Sequence, residues 1–132
     1  MGARSGFSSG GMLLTLLPET LAVARFDAAT RLPPEPEGLW SITCTADEIS
    51  VVCPADAVPI GAQQVESGWR ALKVAGPLDF SLTGILAQLA VALAEARIAI
   101  FALSTFDTDY VLVRDLEGAT RALWDAGHVI EE

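Results

Sequence analysis

Apolar and polar positions along the chain fall into blocks, and the period of the blocks changes from one to the next. Residues 12–17 are apolar around Thr15, and 21–26 alternate moderately. With the turn-like Pro18-Glu19-Thr20 between them, they predict two strands of a hairpin. Residues 27–38 carry Pro33, Pro34 and Pro36 among acidic side chains. That composition predicts a solvent-facing loop, because proline has no N–H to give to a ladder. In 39–45, Leu39, Ser41, Thr43 and Thr45 share one side and Trp40, Ile42 and Cys44 the other. A second run, 48–53, follows after the short link Ala46-Asp47, and the pair predicts the clearest hairpin in the chain. Residues 54–59 predict one short helical turn, and 60–68 a polar connection.

The period changes in the second half. Trp69, Ala71, Lys73 and Ala75 alternate with Arg70, Leu72 and Val74, which predicts a strand ended by Gly76-Pro77. Leu82, Ile85, Leu86, Leu89, Leu93 and Ala96 then recur at helical spacing, so a helix is predicted over about 82–96, capped by Ser81 or Asp79. Gly84 falls inside it, at a cost of about 1 kcal/mol relative to alanine, which argues for close packing there. Residues 98–103 are apolar at every position, the pattern of a strand covered on both faces; with helices on one face only, something else, such as a second subunit, is expected to cover the other. A polar loop, 104–109, leads to a strand over 110–113. Asp115 caps a helix over 116–126 with Leu116, Ala119 and Leu123 inward, Gly127 stops it, and 128–130 adds a last short strand.

The predicted order over about 69–132 is therefore β-α-β-β-α-β, the ferredoxin-like arrangement of two helices on one face of an antiparallel sheet. The fold class is α+β. Residues 12–68 predict a mostly β half in comparable strand order without a long helix, and 1–11 (MGARSGFSSGG) a Gly/Ser-rich flexible tail.

Charge narrows the function. The chain has 8 basic and 17 acidic residues, a net charge of −9, spread over both halves. No basic stripe can neutralise phosphates, so nucleic acid and anionic membrane are not expected partners. The longest apolar run, 85–103, is interrupted by Gln88, Glu95 and Arg97, short of the roughly 20 mostly apolar residues of a span. The N-terminus has no signal-peptide pattern, so the expected location is the cytoplasm. Cys44 and Cys53 lie on the two predicted strands of one hairpin, where a bridge is geometrically possible, but buried structural thiols are the expectation.

Two stretches carry a resemblance. Residues 76–86 (GPLDFSLTGIL) and 104–113 (STFDTDYVLV) resemble the CASTOR-type ACT domain family, and together they extend over the last half of the chain. The first half resembles the divergent ACT-like half that small bacterial members place in front. The resemblance implies a regulatory, amino-acid-binding protein rather than an enzyme, needing no cofactor and pairing as a homodimer. It places the ligand between the loops 77–81 and 104–109, at a domain or subunit interface.

The residues of those loops suit such a ligand. A helix start near Phe80 and Ser81 offers unpaired N–H groups to a carboxylate. Asp79, Asp107 and Asp109 offer charge to an ammonium. Ser104 and Thr105 add hydroxyls, and Phe106 can wall a pocket. Each has a plainer role as well: Ser81 or Asp79 as a helix cap, Asp107-Thr108-Asp109 as a hairpin turn, Phe106 as core. On that plainer reading the chain is a ligand-free structural or interaction module of the same fold. Catalysis has less support. His128 is the single histidine, Cys44 and Cys53 lack zinc-site spacing, and no phosphate-cradling motif occurs.

Overall fold

The computed structural model describes residues 11–75 and 84–132. Seven strands and two helices follow in the order β1 (Leu13–Phe26), β2 (Ser41–Cys44), β3 (Ile49–Pro54), β4 (Gln64–Val74), α1 (Ile85–Glu95), β5 (Ile100–Ser104), β6 (Asp109–Val113), α2 (Leu116–Asp125) and β7 (Val129–Glu131), with a 3₁₀ turn at Ala55–Ala57. The chain forms two compact units. One holds the chain up to Pro18 together with Arg70–Glu132; the other is Glu19–Trp69.

In the first unit the strand order is β7-β1-β4-β6-β5. β7 runs parallel to the start of β1, with Leu13 opposite Val129. β4 is antiparallel to β6, Arg70 opposite Val113, and β5 is antiparallel to β6, Ile100 opposite Val113. Leu14, Leu72, Val74, Val111 and Val113 from the strands pack with Leu89 and Leu93 of α1 and Ala119 and Leu123 of α2. This is the predicted α+β, ferredoxin-like arrangement, with the start of β1 laid between β7 and β4.

Both helices close alike. In α2, Gly127 takes φ 96°, and the His128 N–H donates to Leu123 O at 2.9 Å. In α1, Arg97 takes φ 63°, and the Ile98 N–H donates to Leu93 O at 2.9 Å. These are the six-to-one bonds of a Schellman ending, which needs a left-handed residue. α2 uses glycine for it; α1 uses arginine. At its start α2 is capped as predicted, the Gly118 N–H donating to Asp115 Oδ1 at 2.9 Å.

In the second unit, β1 from Leu21 to Phe26 is antiparallel to β3, and β2 is antiparallel to β3. Ala24, Phe26, Ile49, Val51 and Cys53 make its core, with Leu32, Trp40, Val58 and Ala62 packed against it. The loop before β2 is held by Gly38, which has φ 96° and where an added Cβ would come within 2.9 Å of Pro54 Cγ, and by the Leu39 N–H donating to Glu19 Oε2 at 3.3 Å.

Three expectations are corrected. Residues 13–26 form one continuous strand, not a hairpin: exposed Pro18 lies between the residues of β1 paired with β7 and those paired with β3, where neither ladder asks for its N–H. Residues 64–68 extend β4 rather than linking to it. Their side chains are all exposed, so the strand carries no apolar alternation to read. Gly84 stands at the N-cap of α1, not inside it, with φ 80°; the left-handed angle, not close packing, accounts for the glycine. β5 ends the strand order, and within one chain Ala102 and Ser104 are exposed. The proposed caps Ser81 and Asp79 lie outside the described residues.

Both cysteines are free, Cys44 exposed and Cys53 buried. Cys44 faces Ile49 across the hairpin, four residues along β3 from Cys53. At about 3.3 Å per residue that is far beyond disulfide reach. Burial, and after it the Asp56 carboxylate, push the Cys53 thiol above its ordinary pKa, which keeps it protonated.

Candidate functional site

The directions of the strands bring several chain segments to one end of the first unit. β4 ends at Val74, antiparallel β6 begins at Asp109, and β5 ends at Ser104 opposite it. The start of β1 joins the same end, the Ala75 N–H donating to Leu13 O at 2.9 Å. The start of β7 lies there too, in parallel register with the start of β1.

The 104–109 loop is a four-residue turn built by its own threonine. The Thr105 N–H donates to Thr108 O at 2.8 Å, the Thr105 hydroxyl donates to the same carbonyl at 3.2 Å, and the Thr108 N–H donates back to Thr105 Oγ1 at 3.2 Å. Ser104 Oγ donates to Asp109 Oδ1 at 2.6 Å across the base of the turn. Thr108, 6% exposed, then donates its hydroxyl to Val74 O at 2.5 Å. That bond ties the loop to the last residue of β4, from which the chain leaves towards 77–81.

Of the residues singled out by sequence, Ser104, Thr105, Phe106, Asp107 and Asp109 therefore share this turn. Phe106 is 80% exposed. Asp107 is exposed and Asp109 half-buried. Asp79, Phe80 and Ser81 lie outside the described residues. Two residues at this end were not singled out. Thr108, read only as part of a turn, is the residue that anchors it. His128, set aside as unfit for a triad, is 3% exposed, and its Nδ1 accepts the Met12 N–H at 3.0 Å. Burial holds its imidazole below the ordinary histidine pKa. No sequence pattern marks that bond, since its partners stand 116 residues apart.

Hydroxyls, one half-buried carboxylate and one exposed one can receive a small polar ligand. Among the described residues no three His, Cys, Asp or Glu side chains gather as metal ligands, and no helix is long and apolar enough to cross a membrane.

Comparison with known proteins defines the class. Residues 64–125, from the first residue of β4 to the last of α2, match the model of the ACT domain, and residues 19–61 match a model described as an N-terminal domain. The structure of protein Atu0741 from Agobacterium tumefaciens is similar at 38% identity over 92% of each chain, with a TM-score of 0.84. The chain thus carries an ACT domain and belongs to one family with Atu0741. More distant structures share the fold. Aspartate kinase from Clostridium acetobutylicum is similar at 14% identity over 83% of this chain and 33% of that one, with a TM-score of 0.61. The regulatory subunit of aspartate kinase from Thermus flavus is similar at 12% identity over 86% and 95%, with a TM-score of 0.58. No curated protein matches the chain.

Proposed function

We propose that this chain is a regulatory module that binds an amino acid at the end of its ACT domain, pairs as a homodimer in the cytoplasm and catalyses no reaction. Within the ACT class it is the CASTOR-type branch that the two sequence stretches favour. The ligand is held between 77–81, with Asp79, Phe80 and Ser81, and the 104–109 turn, with Ser104, Thr105, Phe106, Asp107 and Asp109. The observation that carries this reading is the bond from Thr108 to Val74 O, which fastens the second loop to the strand that leads into the first. The named role of the Thermus flavus neighbour, a regulatory subunit, supports the regulatory part. The ligand-free alternative calls for a pocket plugged by Phe106 or Phe80; Phe106 is 80% exposed, and Phe80 lies outside the described residues.

A thermal-shift screen of the full chain against the twenty amino acids tests the reading. A ligand at a hundred times its Kd stabilises the folded state by about 2.7 kcal/mol. A saturable rise with one amino acid, reduced in Asp107→Ala, is expected. Asp107 suits this test because it is exposed and makes none of the bonds that build the turn. A flat screen of well-folded protein contradicts the reading.

A further inference from the structure

The inward stripe of α2, Leu116, Ala119 and Leu123, leaves one flank of the helix uncovered. Glu117, Thr120, Arg121 and Trp124 are exposed there, Trp124 by 64%. With half-buried Leu116 they wall an open groove of about 720 Å³ along the helix. A tryptophan removes about 150–250 Å² from water when covered, so this indole has much to gain from a partner. Thr120 asks nothing of such a cover, because its hydroxyl donates to Leu116 O at 2.8 Å within its own helix.

The order of these residues is its own complement. Leu116, Thr120 and Trp124 stand four apart, so they follow one flank of the helix. A second α2 laid antiparallel across this flank, with the two-fold axis at Thr120, sets each Trp124 over the other copy's Leu116. Glu117 then falls two residues, about 3 Å along the helix, from the other copy's Arg121. Each copy supplies one carboxylate and one guanidinium to the contact, so the four charges cancel. That matters in a chain of net charge −9, whose copies repel one another. A groove with one acid and one base among its five residues lets two such copies meet without adding to the repulsion.

We propose that this flank of α2 is the contact through which two copies of the chain pair, the two helices antiparallel. The inference rests on the homodimer reading above and adds to it the face and the residues. Trp124 is the anchor, a large exposed aromatic of the kind that carries most of an interface's binding energy. The Glu117–Arg121 pairs fix the direction of one helix against the other.

Sedimentation equilibrium of the full chain tests both statements, with circular dichroism to show that each variant is folded. Trp124→Ala removes the anchor from an exposed site and should raise the dimer dissociation constant about thirtyfold. Glu117→Arg and Arg121→Glu each set four like charges together and should each raise it about tenfold. These two reversals move the net charge in opposite directions, so weakening by both reports the local pairs. Combining them restores opposite charges across the contact and should return the constant to within about threefold of the unaltered chain. Single reversals without effect, or a combined reversal as weak as either single one, would overturn the proposal. A dimer indifferent to Trp124→Ala would also overturn it, leaving the homodimer reading in place with its contact on another face. A chain that is monomeric at every concentration would remove both.

Discussion

Two hairpins among the described residues are built on one turn and anchored differently. In the second unit, the Thr45 N–H donates to Glu48 O at 2.9 Å, and the Asp47 and Glu48 N–H groups donate to Thr45 Oγ1 at 3.1 Å each. In the first unit, Thr105 and Thr108 repeat this arrangement. Thr45-Ala46-Asp47-Glu48 and Thr105-Phe106-Asp107-Thr108 share threonine at the first place and aspartate at the third. The shared residues are turn chemistry, since a hydroxyl that binds nearby N–H groups offers the backbone an alternative to the ladder. The differences carry information about function. Where one turn has exposed Ala46 and half-buried Glu48, the other has exposed Phe106 and buried Thr108. Only the latter is bonded to another strand among the contacts described, through Val74 O. A threonine that merely closed a turn would need no such anchor.

The largest expected effect comes from removing that anchor. Thr108→Val keeps shape and leaves Val74 O without its hydroxyl. Urea unfolding should show a loss of about 1–3 kcal/mol, against less than about 0.5 kcal/mol for Glu48→Gln at the equivalent surface position. Equal losses would erase the distinction between the hairpins. Next come the shared threonines. Thr45→Ala and Thr105→Ala should each cost about 1 kcal/mol, and similar values would confirm that the hydroxyls hold turns. A far greater loss for Thr105 would mean that its hydroxyl has a further structural task.

The two helix endings allow the same comparison. Arg97 in α1 does with a left-handed arginine what Gly127 does in α2. Arg97→Gly should therefore stabilise the chain by about 0.5–1 kcal/mol, the relieved strain exceeding the added freedom of the unfolded chain. A fall in Tm would show that the arginine side chain has a role that its backbone does not reveal.

The smallest effect is a pH dependence confined to the first unit. Burial lowers the pKa of His128 in the folded state, so below about pH 6.5 the unfolded chain binds the proton more readily. The histidine's share of stability is complete above that pH and is lost as pH falls towards the folded value. His128→Asn should flatten this part of the profile in denaturant titrations between pH 5 and 7.5. An unchanged profile would place the titration elsewhere.

Much of this was legible in the sequence where side chains announce their task. Asp115 and Gly127 bracket α2 because a cap and a left-handed stop are chemical demands, and the alternation of 39–53 marks its hairpin. The continuity of β1 was hidden by Pro18-Glu19-Thr20, whose turn-like composition is harmless where two ladders change over. The first half of β4 was hidden because its exposed residues show no apolar alternation. Gly84 read as a helix interior because apolar spacing runs past it on both sides. At the candidate site, local sequence located the 104–109 turn but could not show its anchor, since Val74 stands 34 residues away. Met12 and His128, farther apart still, met for the same reason: spacing records neighbours along the chain, not those made by strand pairing.

The central claim is that one hairpin binds ligand and its counterpart does not. Hydrogen exchange of the full chain, with and without the amino acid that raises its Tm, tests this within one molecule. Added protection at 104–109, with 45–48 unchanged, is the predicted result. Equal protection of both turns, or none at 104–109 while the chain is stabilised, would contradict it.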